Sequence, residues 1–129
     1  MPTSKKEFGD WGERLVAEEY KKKGFKIVGQ KVLVMGYKQL GEIDLIAAKA
    51  KQLVFVEVKA RENEEFMPAV EAVGFKKQQR LLKAIKGFIA NNAKYQDYLM
   101  RIDVALVISP LDGKFQSVNI IEDAIQDNY

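Results

Sequence analysis

The sequence predicts a mixed α/β domain, one mixed sheet with helices against it, in the order α-β-β-β-α-β-β. Three observations carry that prediction. An amphipathic helical pattern opens the chain, and a second, strongly basic one lies past its middle. Between them run three strand-length apolar segments, the last two joined by a link so short that it favours antiparallel pairing. Beyond the second helix, the stretch after Asp103 is continuously apolar to Ile108, which reads as a central strand.

Ser4-Lys5-Lys6-Glu7 has the S-x-x-E form of a capping box and starts the first helix. Phe8, Trp11, Leu15, Val16 and Tyr20 follow at helical spacing, and Gly24 suits the left-handed position after the helix end. Phe25 to Val34 is the first strand, broken or bulged near Gly29, with a turn at Gly36-Tyr37. Gly41 to Ala48 is the second strand, Lys49 to Gln52 the connection, and Leu53 to Ala60 the third. Arg61 to Pro68, with Glu62, Glu64 and Glu65, reads as a mobile acidic loop. The second helix runs from about Gly74 to Asn91-Asn92, with Leu81, Leu82, Ile85, Phe88 and Ile89 as its apolar stripe. Arg101 to Ile108 is the fourth strand. Ser109-Pro110 and Asp112-Gly113 mark a turn, Lys114 to Ile121 is the fifth strand, and Glu122 to Gln126 a short closing helix. Phe8, Trp11, Phe88 and the strand valines belong to the core, and Tyr95 and Tyr98 are expected to cover the sheet rather than stack on bases.

Residues 1–129 are read as a single domain, long enough to bury a core, with a hydrophobic content of 47% and a charged content of 30%. Apolar stretches are strand-sized, well short of the roughly 20 residues of a membrane span, and the polar N-terminus lacks the apolar core of a signal peptide. A cytoplasmic location and no membrane association are therefore the expectation. The chain has neither cysteine nor histidine. That removes disulfides, thiolate and imidazole catalysis, and zinc sites built on those ligands. Hydrolytic chemistry would have to use carboxylates, lysine, tyrosine or an oxygen-ligated metal. A net charge of +3 permits nucleic-acid binding without demanding it. Without a glycine-rich phosphate loop, Rossmann and P-loop readings have no support.

The chemistry-bearing residues sit on the second and third strands. Strand side chains alternate, so Val54, Val56 and Val58 share one face while Phe55, Glu57, Lys59 and Arg61 share the other. By the same rule Ile43, Leu45 and Ala47 face one way, and Glu42, Asp44 and Ile46 the other. Paired as a hairpin, the strands would bring carboxylates and an ammonium onto one patch. A magnesium ion takes one or two carboxylates, waters and substrate phosphate oxygens. Asp44 and Glu57 could supply the carboxylates, the main-chain carbonyl of Val58 a further ligand, and Glu42 a ligand or merely the rim. Lys59 could orient or deprotonate the attacking water or stabilise the charged transition state. Glu13 lies at the edge of the first helix's apolar stripe, where it can border the sheet as a further metal or water ligand. Gly12 before it would allow a close backbone approach.

These residues carry a resemblance. Gly12-Glu13, Gly-Glu-Ile-Asp-Leu-Ile at 41–46, Phe-Val-Glu-Val-Lys-Ala-Arg at 55–61, the lysine-rich second helix and Arg101-Ile102-Asp103-Val104 together resemble the YraN-like bacterial proteins of uncharacterised function. That family is similar to archaeal-type Holliday-junction resolvases and to the PD-(D/E)xK nuclease superfamily. The resemblance implies a restriction-endonuclease-like αβββαβ core, with Asp44 at the D of the motif, Glu57 and Lys59 as its E-x-K, and Glu13 as the helix glutamate. Isoleucine stands before Asp44 where the generic motif has proline, and Gln30 stands where asparagine is expected. Gln79 matches a glutamine on the second helix of some related nucleases.

The function expected is hydrolysis of phosphodiester bonds in DNA, including branched or structured DNA, by an endonuclease-like domain using Mg²⁺ or Mn²⁺. A homodimer would present two sites. Lys76, Lys77, Arg80 and Lys83 on the second helix, with Arg61, form the expected phosphate-tracking surface. Ordinary readings stand beside these. The second helix's basic run also fits a solvated face, and Asp44, Glu57 and Lys59 also fit a surface ion-pair set worth about 0–1 kcal/mol. Against the latter, like charges on an otherwise apolar pair of strands are costly without a cation. The alternative function is a non-catalytic nucleic-acid-binding or protein-interaction module on a nuclease scaffold.

Overall fold

Helix α1 (Lys5–Lys22) ends where chain chemistry requires it. Gly24 takes φ +90, its N–H bonds to the Lys21 carbonyl at 2.9 Å, and the Phe25 N–H reaches back to Tyr20 at 3.0 Å. This pair of bonds is the Schellman closure, and the Phe25 ring meets Tyr20 edge-on at 5.4 Å to complete it. The computed structural model describes residues 5–61, 73–108 and 117–126. Ser4 of the expected capping box, the acidic 62–68 loop, both predicted turn dipeptides at 109–113 and the start of the fifth strand lie outside them.

Strands β1 (Lys26–Met35), β2 (Gln39–Lys49) and β3 (Gln52–Arg61) form an antiparallel meander. The irregularity expected near Gly29 is a register shift between Ile27 and Gly29. The β2–β3 turn is tighter than the sequence suggests, because Lys49 already pairs with Gln52. Only Ala50 and Lys51 remain, both left-handed with φ 48 and 65, the conformation that matches strand twist in a two-residue hairpin. Helix α2 (Phe75–Asn91) carries the chain to β4 (Leu99–Ile108), which pairs with β3 in parallel along its full length. A 3₁₀ turn (Ala93–Tyr95) lies between α2 and β4, and β5 (Ser117–Ile121) closes the sheet antiparallel to β4. The spatial order is β1-β2-β3-β4-β5, a mixed α/β architecture compatible with an αβββαβ core. Lying between β3 and β5, β4 is interior, as its continuous apolar run predicts.

A helix packs on each face of the sheet. Val16, Ala17 and Tyr20 of α1 cover Leu45, Ala47, Val54 and Val56. Leu81, Leu82, Ile85 and Phe88 of α2 cover Ile46, Leu53, Phe55 and Val104 on the other side. Gly12 lets α1 settle onto the sheet, since a Cβ there would lie 3.3 Å from that of Ala60. Phe8 and Trp11 are only half-buried, their rings meeting at a tilt of 57° near the start of α1. Tyr95 and Tyr98 extend an aromatic chain from Phe55 and Phe88 over the sheet, as expected.

Two further expectations need correction. Glu122 to Gln126 does not form a helix but a turn, with Asp123 at φ 53. The cause is the fully buried Asp103, whose carboxylate accepts the Asp123 N–H at 2.9 Å, while the Ala124 N–H bonds to the Ile102 carbonyl. Nor does strict alternation hold through β2. Ile43 packs in the α2-side core with Ile46, whereas Leu45 and Ala47 face α1, so the period-two pattern breaks at Asp44.

Candidate active site

That break builds the site. The β2–β3 ladder runs from Lys49↔Gln52 to Leu45↔Val56 and stops. Continued, it would set Ile43 opposite Val58; instead the Val58 N–H donates to Asp44 Oδ2 at 2.9 Å. A side-chain oxygen thus replaces a backbone acceptor, and the strands part around it. The N–H and C=O of one strand residue point to the same side, so the Val58 carbonyl also faces the β2 side.

Glu57 lies on the α2 face beside this gap and is 1% exposed. Two ammonium groups share its Oε1: Lys77 at 2.7 Å and Lys59 at 3.8 Å. Lys77 approaches outside hydrogen-bonding geometry, so Oε1 is ion-paired yet buried without a directed hydrogen bond. Burial, then the neighbouring Glu57 charge, pushes the Asp44 pKa up to about 6, against the opposing pull of the Val58 N–H and Lys77. Burial followed by the adjacent Lys77 ammonium holds Lys59 below the ordinary lysine value. For Lys77 burial acts downward, but Glu57 outweighs it and the net shift is upward.

Glu13 approaches from the α1 side. Its carboxylate is ion-paired by Lys31, which also meets Asp10 at 2.7 Å. Lys31 reaches α1 from a left-handed backbone position, φ 49. Burial, and in smaller part the Asp44 charge, raises the Glu13 pKa despite Lys31. Among the described residues no group of three or more carboxylates stands ready to hold a metal ion. Of the expected set, Asp44 and Glu57 act on one another, while Glu13 is ion-paired by Lys31 and meets Asp44 through its charge.

The remaining predicted residues surround the cluster or stand apart from it. Glu42 is exposed, and its charge contributes to the Asp44 rise. Arg61 is exposed with Nη1 donating to the Ala60 carbonyl at 3.0 Å. Lys76, Gln79, Arg80 and Lys83 are exposed along α2. The glutamine with a defined bond is Gln78, which donates to the Val73 carbonyl at 2.7 Å. Lys77, read from sequence as one more cation of that basic run, is instead part of the carboxylate site. Nothing in its local sequence distinguishes it from Lys76; only the placement of α2 does.

Sequence reasoning also missed a buried tie on the α1 face. Asp103 accepts the Tyr20 hydroxyl at 2.6 Å and the Arg101 guanidinium at 2.8 and 3.0 Å. Each carboxylate oxygen is satisfied, so this group fastens α1, β4 and the 122–126 turn together and is not a reactive site.

The model of uncharacterised protein family UPF0102 matches residues 12–107, which include every residue of the cluster. The chain belongs to that family. It is similar to UPF0102 proteins of Caldicellulosiruptor bescii (38% identical, covering 92% of this chain and 97% of that one) and Caldanaerobacter subterraneus (38%, covering 94% and 96%). A UPF0102 protein of Alkaliphilus metalliredigens is 36% identical, over 88% of this chain and 96% of its own length. The YraN-like assignment made from the motifs is thus correct. No helix among the described residues of this UPF0102 member is long and apolar enough to cross a membrane.

Proposed function

We propose that this UPF0102 protein is a metal-dependent nuclease domain hydrolysing phosphodiester bonds in DNA, with Asp44, Glu57 and Lys59 as its working set. One observation carries the reading: two mutually repelling carboxylates and a lysine of lowered pKa meet where β2 and β3 part. Such an arrangement costs stability, and a fold retains it most readily when the site is used. The likeness of the three residues to the PD-(D/E)xK motif supports the same reading.

The donors suit Mg²⁺ or Mn²⁺. Asp44, Glu57 and the Val58 carbonyl are all hard oxygen ligands, and Glu57 Oε1 is buried without a hydrogen bond. A cation held there would supply Lewis-acid polarisation of a phosphoryl oxygen. Lys59, 15% exposed and held down in pKa, has a neutral amine within reach at lower pH than an ordinary lysine, so it can take a proton from the attacking water. Glu13 acts on this set through the charge it presents to Asp44. The exposed Lys76, Arg80, Lys83 and Arg61 would track the DNA backbone without reading sequence. Two copies related by a twofold axis would allow paired cuts in a branched substrate.

The test is incubation with linear and branched DNA in Mg²⁺ or Mn²⁺. Wild type should cut, while Asp44→Asn and Lys59→Ala should lose at least about 100-fold in rate, the scale of general acid–base assistance. Equal products from all three would end the assignment. The competing module reading is favoured by Lys77, which already neutralises Glu57 without a metal. It predicts DNA binding that weakens with salt and is indifferent to divalent ions.

A further inference from the structure

We infer that Lys77 is a built-in competitor for the cation at Glu57: it holds that carboxylate until a divalent ion binds, and is then displaced onto the DNA phosphate. The inference rests on the metal-dependent reading above.

Lys77 Nζ lies 2.7 Å from Glu57 Oε1, where a cation bound to that oxygen would have to sit. An ammonium at that distance and a divalent ion on the same carboxylate oxygen repel one another, so each weakens the other's hold on it. One of the two lysines at Oε1 would then give way. Lys59 stands farther off, at 3.8 Å, with a side chain only 15% exposed, so it has little room to move. Lys77 is 49% exposed and swings on a flexible four-carbon stem from the first turn of α2. Lys77 is therefore the group that would give way to a bound ion.

Its displaced ammonium enters solvent beside Lys76 and Arg80, both exposed on the same end of α2. A charge that had cancelled Glu57 becomes available to a phosphate held at the site. Metal binding and DNA binding are then coupled through one side chain, and by linkage each strengthens the other.

Calorimetric titration of the DNA-free protein with Mn²⁺ tests the competition. Lys77→Gln should bind Mn²⁺ about 2- to 5-fold more tightly than wild type, the range a half-exposed ion pair can impose as competition. Lys94→Gln is the charge-matched control. It lies beyond the far end of α2, which is roughly 21 Å from Lys77 along the helix, and should leave the affinity unchanged. Asp44→Asn should abolish the binding. In a Lys59→Ala background, which prevents cutting, Mg²⁺ should strengthen binding to a DNA duplex, and adding Lys77→Gln should diminish that gain. Equal or weaker Mn²⁺ binding by Lys77→Gln, with Asp44-dependent binding intact, overturns the competition and leaves the metal reading standing. An undiminished Mg²⁺ gain in the double variant overturns the transfer to phosphate. If no variant shows Asp44-dependent Mn²⁺ binding, both fall.

Discussion

Replacing Asp44 by asparagine should stabilise the fold at neutral pH while removing the proposed function. The Asp44 pKa stands at about 6 against an ordinary 3.8, a rise that corresponds to about 3 kcal/mol between its two protonation states. The sign follows from proton counts. Between the unfolded value near 3.8 and the folded value near 6, the native state binds the extra proton, so stability falls as pH rises through that window. Above pH 7 the folded chain carries the whole cost of a carboxylate ionised beside Glu57. Asparagine keeps an oxygen to accept the Val58 N–H and carries no charge, so it is spared that cost. Because Asp44 retains some solvent contact, the gain expected at pH 8 is about 1–3 kcal/mol rather than the full figure. Urea unfolding of wild type and Asp44→Asn at pH 4.5, 6 and 8 measures it, and the two curves should converge at the acid end. Mg²⁺ or Mn²⁺ should stabilise wild type and not the variant, since a ligand of the native state raises its stability by mass action. A variant no more stable than wild type at pH 8 would refute the claim that Asp44 is held ionised at a cost.

Two further predictions concern the scaffold. Tyr20→Phe removes the 2.6 Å hydroxyl bond to fully buried Asp103 and should cost about 1.5–3 kcal/mol, the scale of a hydrogen bond to a charged group, by denaturant midpoint. A loss under 0.5 kcal/mol would mean that Arg101 and the Asp123 N–H suffice. Gly87→Ala should destabilise, although alanine is the better helix former by about 1 kcal/mol. Its Cβ would come within 2.6 Å of Leu40 Cδ1 and 2.9 Å of Val34 Cγ1, and such overpacking costs about 1–3 kcal/mol. A rise in thermal midpoint would show that the Leu40 side chain yields freely.

Local chemistry is what made much of this protein legible from sequence. The Tyr20–Gly24–Phe25 helix end, the strand runs and the α2 stripe depend on residues a few positions apart, so spacing alone located them. The pairing of β2 with β3 followed from a short link, and Glu57 and Lys59 share a face because two residues separate them on one strand. The errors have the same origin in reverse. Period-two alternation placed Ile43 with Leu45, but Asp44 takes the Val58 amide and breaks the alternation. The predicted closing helix yields to a turn because Asp103, 20 residues away, captures the Asp123 N–H.

The amino-acid sequence by itself determined the element order, the two helix faces, the family and the three chemical groups Asp44, Glu57 and Lys59. Only the tertiary structure decided which cations meet those groups. Lys77 lies on Glu57, and Glu13 is claimed by Lys31, because α2 and α1 dock on opposite faces of the sheet. Spacing along a chain cannot report such pairings. They depend on where a helix comes to rest, which is set by the apolar packing of its other side.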